Sequence, residues 1–166
     1  MIALTKPVFE KLIEHLIKIE ESSDSLADFY FPDSPEDQEE LLEFFTVYVK
    51  KIEDELQNAE VISQFSKVQD PGTLNTFPFV IIGSEVGLET LPARAFNTCR
   101  VIFPDSQANV KNGISFLSQL GRSLLLRNCG SVIDVGIDGG NGTTVYSFDT
   151  PSKTRKAIIK SIRLLA

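Results

Sequence analysis

The first 60 residues contain two runs in which apolar residues recur at alternating spacings of three and four. This rhythm is typical of helices that pack side by side as a coiled coil. The first run crosses one polar position and consists of Phe9, Leu12, Leu16, Ile19, Ser23, Leu26 and Tyr30. The second run consists of Leu42, Phe45, Val49, Ile52, Leu56 and Ala59. The rhythm therefore predicts two helices, over residues 7–31 and 35–60.

The two runs agree on the place where the chain turns. Facing residues of an antiparallel hairpin share a constant sum of residue numbers, and Leu12 with Leu56, like the other facing pairs, gives 68. Half of that sum falls on Ser34, which lies between Pro32 and Pro35. Proline, aspartate and serine favour turns for separate physical reasons. We therefore predict an antiparallel helical hairpin whose tip is at Ser34.

From residue 77 onward the pattern changes from that of helices to that of strands. Short runs rich in β-branched and aromatic residues are typical of a small sheet. These runs cover residues 79–82, 86–88, 98–103, 114–117, 132–137 and 143–148. One helical segment, Gln119–Leu126, interrupts them. The fold class predicted is α+β, with the helical hairpin followed by a small antiparallel β domain that contains one short helix.

Two further segments of the second half are the glycine-rich run 138–142 and the tail from Ser152. Segment 138–142 joins two predicted strands and no lysine of a phosphate-binding loop follows it, so we interpret it as a hairpin turn. The tail carries five bases, Lys153, Arg155, Lys156, Lys160 and Arg163. We expect a basic loop and then a final strand with Ile158, Lys160, Ile162 and Leu164 on one side. A helix with Ile158, Ile159, Ile162 and Leu165 on one face is the alternative.

These elements divide the chain into three parts. Residues 1–62 form the helical hairpin arm with its acidic tip, residues 63–76 form a linker, and residues 77–166 form the β-rich domain. The turn signal Gln69-Asp70-Pro71-Gly72 lies in the linker.

Acidic residues are concentrated in one part of a chain whose net charge is −7. Residues 19–49, called the acidic block below, contain ten Asp or Glu residues and no Lys or Arg. The other 135 residues carry 13 acids and 16 bases. A non-specific nucleic-acid binder is disfavoured, because phosphate binding needs clustered cations.

Several other classes of protein are disfavoured by composition. No apolar run approaches the ~18–20 residues of a membrane span, and the N-terminus lacks the layout of a signal peptide, so we expect a cytoplasmic protein. Cys99 and Cys129 fit no metal spacing and are expected to be buried thiols. The single histidine, His15, gives little support to a zinc site or to Ser/His catalysis.

Five short runs, in order along the chain, carry a resemblance to a known family. They are Ile52–Ile62, Val80–Glu89, Val101–Asp105, Leu120–Leu125 and Gly139–Gly140. Together they resemble the Gre-type (GreA/GreB) bacterial transcription elongation factors, and this chain would be a short-armed member. The resemblance implies an FKBP-like β domain that docks at the secondary channel of bacterial RNA polymerase, while the hairpin arm enters the channel.

The resemblance also implies roles for individual residues. Asp33-Ser34-Pro35-Glu36 reproduces the Asp-x-x-Glu spacing of two tip acids that help to hold the second Mg²⁺ of the polymerase during cleavage of backtracked RNA. By that resemblance Asp33 and Glu36 are the candidate metal-assisting acids. The tip accessory residues are Asp28, Asp37, Tyr30 and Phe31, and the polymerase-docking residues are Pro104, Asp105, Gly121 and Arg122. The chain would be a monomer with no cofactor of its own, would hold no metal stably, and would share Mg²⁺ with the polymerase close to the nascent RNA.

The sequence departs from the family in ways that keep other interpretations open. After Glu36 the family continues Asn-Ala-Glu-Tyr, whereas this chain has Asp37-Gln38-Glu39-Glu40. Each helix lacks about five or six residues, which shortens the reach by roughly 8–9 Å, and bases that hold RNA are missing from the acidic block. These departures favour a non-cleaving regulator of the Rnk type. Further alternatives are a peptide-binding FKBP-like module, a coiled-coil scaffold, and tip residues that serve only as the N-cap and the dipole partners of the second helix.

Overall fold

The computed structural model describes residues 2–63, 71–105, 110–135 and 155–165. It divides into two compact units, one reaching to Asn75 and the other running from Thr76 to Leu165. The first unit is built on two long helices and the second on a five-stranded sheet with one short helix. The predicted α+β fold class is confirmed.

The helices of the first unit are α1 (Lys6–Tyr30) and α2 (Pro35–Leu56). Proline lies in the first turn of both, where its missing N–H would have no partner in any case. Ser34 is the residue that precedes α2, so the turn falls where the sum of residue numbers places it. α2 ends at Leu56 rather than at residue 60, which corrects the predicted end of the second helix.

The contact between α1 and α2 buries half of the twelve predicted apolar positions. Six of them are buried: Leu12, Leu16, Ile19, Phe45, Val49 and Ile52. Near the ends of the seam, Val8 is buried in place of Phe9, and Leu41 in place of Leu42. A straight helix advances by 100° per residue, so a strict heptad pattern drifts by ~20° per repeat. The neighbouring residue then points more directly at the partner helix.

A two-stranded parallel sheet closes the base of the hairpin, and sequence reasoning missed it. Strand β1 (Ala3–Thr5) precedes α1, and strand β2 (Glu60–Ile62) follows α2. The Glu60 N–H donates to the carbonyl of Ile2 at 2.8 Å. Because this pairing needs an extended chain at Glu60, it explains why α2 stops early.

The second unit contains five strands and one helix. They are β3 (Glu85–Leu91), β4 (Ala95–Ile102), β5 (Gly113–Ser115), α3 (Gln119–Leu124), β6 (Val132–Val135) and β7 (Arg155–Arg163). The order across the sheet is β5-β4-β3-β7-β6. All neighbouring pairs are antiparallel except β4 with β5, which are parallel. The sheet is therefore mixed at one edge.

The segment 79–82, predicted as a strand, is not one in the structure. All four residues are buried, but the backbone of Val80 pairs with the connection between α3 and β6. It donates to the Arg127 carbonyl at 3.0 Å and accepts from the Leu126 N–H at 2.8 Å. An apolar run indicates only that its residues are buried. Here residues 79–82 are buried without forming a strand of the five-stranded sheet. The predicted strand 143–148 and the turn at 138–142 lie outside the described residues.

The predicted final strand, β7, is present. Of the four residues expected on its buried side, Ile162 and Leu164 are buried, but Ile158 and Lys160 are not. Ala157, Ile159 and Ile162 are buried, whereas Lys160 is exposed. The register with β3 shifts between Gly87 and Leu88 of that strand. A bulge adds one residue to one strand and so reverses which side chains face inward beyond it. Sequence alternation alone could not reveal that reversal.

Two further expectations can be compared with the described residues. Cys99 is buried as expected, but Cys129 is exposed, so the expectation for Cys129 was wrong. None of the helices in the described ranges combines the length and apolar character needed to cross a membrane.

Candidate functional site at the tip of the helical hairpin

The tip, residues 31–37, consists of a short turn and the first residues of α2, and it is held at the carbonyl of Phe31. The Phe31 N–H closes α1 by donating to the carbonyl of Ala27 at 3.0 Å. The Phe31 carbonyl then accepts from the Ser34 N–H at 3.3 Å and from the side-chain amide of Gln38 at 2.6 Å. Sequence reasoning did not single out Gln38, because a polar residue in the first turns of a helix carries no distinctive signal. The turn is thus tied to both helices.

Ser34 and Asp37 are joined by a local hydrogen bond. The Ser34 hydroxyl donates to Oδ2 of Asp37 at 2.7 Å, and within the described tip the Ser34 side chain makes no capping hydrogen bond to the helix backbone. Of the two residues considered as the N-cap of α2, Asp33 and Ser34, it is Ser34 that occupies this position, but without a capping bond from its side chain. Glu36 and Asp37 do lie in the first turn of α2, where carboxylates complement the positive end of the helix dipole.

Asp33 and Glu36 are both exposed to solvent on the tip. Across the described parts of the chain, neither carboxylate takes part in a hydrogen bond or an ion pair. Asp33 is in the turn and Glu36 is the second residue of α2, so both have a short, fixed backbone support. Their oxygens are available to a cation supplied from outside the chain.

Two carboxylates alone do not make a metal site. Mg²⁺ takes near-octahedral oxygen coordination and is usually held by one or two protein carboxylates together with other oxygen ligands. Among the described residues no group of three or more His, Cys, Asp or Glu side chains is placed to hold a metal. The chemistry that fits this tip is the completion of a metal site that another molecule already holds.

The aromatic residues of the tip region differ in exposure. Tyr30 and Phe31 are half-buried, whereas the side chain of Phe29 is 73% exposed. The rings of Phe29 and Tyr30 meet edge to face, with 5.5 Å between centroids. Asp28, beside Phe29, is exposed as well. Phe29 therefore gives the tip region an exposed apolar surface among acids. Its exposure could have been predicted, because Phe29 is not part of the apolar rhythm of the first helix.

The ion pairs between described residues of the first unit involve no carboxylate of the acidic block. The salt bridges described for the first unit join Lys6 with Glu10 and Lys50 with Asp54. Both lie outside residues 19–49. The hydrogen bond to Asp54, at 2.8 Å, raises the pKa of Lys50 above its ordinary value. The carboxylates of the block therefore repel one another, and only an external cation or a basic surface would relieve that repulsion.

The residues predicted to dock on the polymerase lie in the second unit. Asp105 is exposed and Pro104 half-buried, in a short turn after β4. Arg122 is exposed on α3, whereas Gly121 beside it is buried. A Cβ at Gly121 would collide with the backbone carbonyl of Ser115 and would lie 2.9 Å from Cα of Phe116. Gly121 thus has a packing role, since it lets the helix approach that backbone.

Comparison with known proteins gives matches among solved structures. The GreA factor homolog 1 (Gfh1) protein of Thermus thermophilus is 20% identical, with 98% of each chain covered and a TM-score of 0.39. Gfh1 of Thermus aquaticus is 18% identical, with 98% of this chain and 97% of that chain covered and a TM-score of 0.40. The transcription elongation factor GreA/GreB of Nitrosomonas europaea is 16% identical, with 98% and 99% covered and a TM-score of 0.44. No protein-family model and no curated protein sequence matches the chain.

Proposed function

We propose that this protein is a Gre-type transcription factor that binds bacterial RNA polymerase at the secondary channel and modulates elongation. One observation carries the proposal: the helical hairpin ends in two exposed carboxylates, Asp33 and Glu36, at Asp-x-x-Glu spacing, and neither has a partner among the described residues. The ordered sequence runs that resemble the Gre family support it. The proposal places the protein in the cytoplasm, where the polymerase works, as a monomer.

The chemistry proposed for the tip belongs to the polymerase rather than to this chain. Hydrolysis of a phosphodiester by two metal ions needs both ions to neutralise the attacking and leaving oxygens. When the second Mg²⁺ is weakly held, carboxylates delivered by another protein can complete its ligand set. Asp33 and Glu36 would supply those oxygens next to a positioned water. The protein itself would then not be an enzyme, and it would hold Mg²⁺ only together with the polymerase.

A non-cleaving regulator of the Rnk type is the second candidate, and the dimensions of the arm favour it. α1 has 25 residues and α2 has 22, which correspond to about 37 Å and 33 Å at 1.5 Å per residue. Measured against the sequence runs that resemble the Gre family, each helix is about five or six residues shorter than in that family. The acidic block also offers no base to hold RNA. Such a tip would act by occupying the channel or by competing for Mg²⁺.

A cleavage assay separates these two candidates. Backtracked elongation complexes of the cognate polymerase are incubated with the full-length protein, and shortening of the labelled RNA is followed in time. For a cleavage factor, Asp33→Asn and Glu36→Gln each abolish shortening, while binding measured by competition stays within about twofold. Glu40→Gln is the matched control, because Glu40 is an exposed acid of the same block that lies outside the Asp-x-x-Glu pair and outside the tip accessory residues.

Each outcome of the assay has a definite meaning. Binding without any shortening selects the non-cleaving regulator. Equal loss of cleavage in the Glu40→Gln control refutes a specific role for the Asp-x-x-Glu pair and leaves only a charge effect. Absence of binding to the polymerase refutes both candidates.

A further inference from the structure

One long face of the helical hairpin carries an open groove between α1 and α2. It has two adjoining parts, of about 470 Å³ and 420 Å³. The part nearer the tip is lined by Ile19, Glu20, Ser23, Asp24, Leu42, Phe45, Thr46, Val49, Lys50 and Glu53. The part nearer the base is lined by Ile13, Leu16, Ile17, Glu20, Glu53, Leu56 and Gln57. Both parts share Glu20 and Glu53, so the groove is continuous.

The sequence explains why the groove exists. Ser23 occupies a position of the apolar rhythm that elsewhere holds a large side chain, and by residue-number sum it faces Phe45. Ser23 is half-buried and lines the part of the groove nearer the tip, where a leucine would fill more of the space. Ile19 and Phe45, which are 1% and 2% exposed, close the seam beneath the groove. The groove is therefore built into the seam.

The groove combines an apolar floor with an acidic rim. In the floor, Ile13, Leu42 and Leu56 are half-buried and leave part of their apolar surface open to solvent. On one edge, Ile17 is 47% exposed. The carboxylates of Glu20, Asp24 and Glu53 line the rim. The lining base Lys50 is already bound to a carboxylate, that of Asp54, at 2.8 Å.

We propose that this groove docks a cationic amphipathic helix of a partner protein. Two packed helices present a groove that a third helix fills in helical bundles. The apolar floor fits the apolar stripe of such a helix, and the acidic rim fits Lys or Arg residues that flank the stripe. From Ile13 to Asp24, α1 rises about 16 Å, which equals three helical turns. A segment of about eleven residues would span the groove.

The charge of the chain argues against a second copy as the occupant. The acidic block carries ten acids and no base, so two such arms laid against each other would repel. The occupant is therefore a different chain with an excess of bases. The site lies along the side of the hairpin, and its occupation does not depend on what the tip acids do.

Binding of a defined peptide tests the proposal on the full-length protein. The probe is a fluorescein-labelled 14-residue peptide with leucines along one helical stripe and lysines beside it, followed by fluorescence anisotropy. Two control peptides have the same leucine stripe with glutamates in place of lysines, and the same composition in scrambled order. We expect saturable binding of the probe, about tenfold weaker binding of both controls, and weakening of the probe by added salt.

Variants of the protein locate the binding. The double variant Glu20→Lys/Glu53→Lys changes the two acids shared by both parts of the groove, and Ile17→Ser removes the exposed apolar edge. We expect about tenfold weaker binding for the double variant and about threefold for Ile17→Ser. The matched controls are Glu39→Lys/Glu40→Lys, two exposed acids of the block outside the groove lining, and Val47→Ser, an apolar side chain that is 59% exposed on α2. These controls should stay within about twofold, with unchanged helix content by circular dichroism.

Three results would overturn the proposal. Equal binding of the scrambled peptide would show unspecific attraction, and equal weakening in the Glu39→Lys/Glu40→Lys control would show that only the overall charge matters. Sedimentation that reveals a dimer, dissociated by Ile17→Ser, would make a second copy the occupant. The polymerase assay with the tip variants is a separate measurement, so the two proposals can fail independently.

Discussion

Protonation of His15 should destabilise the folded protein as the pH falls below neutrality. The imidazole lies on α1 with Nε2 at 2.7 Å from the hydroxyl of Tyr48 on α2, and Tyr48 has no exposed surface. The rings meet edge to face. Burial first, and then the charge of Lys18, lowers the pKa of His15 from 6.5 to about 4. The neutral imidazole is thus the form that the fold accommodates.

The sign and size of the effect follow from proton linkage. The unfolded chain binds this proton near pH 6.5, while the folded chain binds it only near pH 4. The stabilisation is therefore complete above pH 6.5 and is lost progressively as the pH falls through 4. The full difference is ~3 kcal/mol, of which about 2 kcal/mol is already lost at pH 5. A loss of that size is a large fraction of the stability of a typical domain.

Urea unfolding at pH 7.5, 6 and 5 measures the effect in the native protein and in His15→Gln. The glutamine keeps a side chain that can hydrogen-bond to Tyr48 but does not titrate in this range. The native protein should lose about 2 kcal/mol more than the variant between pH 7.5 and pH 5. Because His15 is the single histidine of the chain, its NMR titration needs no assignment. Parallel pH dependence of the two proteins, or a midpoint near 6.5, would refute the reasoning.

Two matched pairs of substitutions test the packing of each unit, with urea unfolding as the measurement. Phe45→Ala removes a side chain that is 2% exposed and should cost ~3–5 kcal/mol, whereas Phe29→Ala, at a position that is 73% exposed, should stay within about 0.5 kcal/mol. Similar losses for both would mean that the seam does not bury Phe45. Gly121→Ala meets backbone atoms of Ser115 and should cost ~1–3 kcal/mol, more than Gly87→Ala, which meets only side chains. The reverse order would contradict the close approach at Gly121.

The helical hairpin could be predicted because its information is local. A rhythm of three and four residues along each helix and two prolines at the turn determine the helices, the register and the tip together. Strands β1 and β2 could not be predicted, because each has only three residues and they pair Ala3 with Glu60 across the whole hairpin. A strand of three residues is too short to show an alternation of apolar and polar residues. The pairing of β1 with β2 depends on the hairpin, which brings the two strands together.

The β half shows a different limit. The alternation of apolar and polar residues predicts a strand at β7. Opposite Gly87 and Leu88, however, a bulge reverses which side chains of β7 face inward. At the candidate site, spacing places Asp33 and Glu36 at the tip, yet it does not reveal that Ser34 donates to the side chain of Asp37. That bond depends on rotamers in the turn. Sequence therefore predicts which carboxylates lie at the tip, while the structure shows which of them already have a partner.

The acidic block connects the tip and the groove. A surface that served only for solubility would interleave bases with its acids, and the absence of Lys and Arg over residues 19–49 excludes that arrangement. Within the described residues, Asp37 accepts a local hydrogen bond while Asp33 and Glu36 do not. The groove rim takes Glu20 and Asp24 from the same block. If both proposals hold, one stretch of sequence would supply carboxylates at the end of the arm for a metal ion and along its side for a basic helix. The self-repulsion of the block is a cost to the free protein that either partner would relieve.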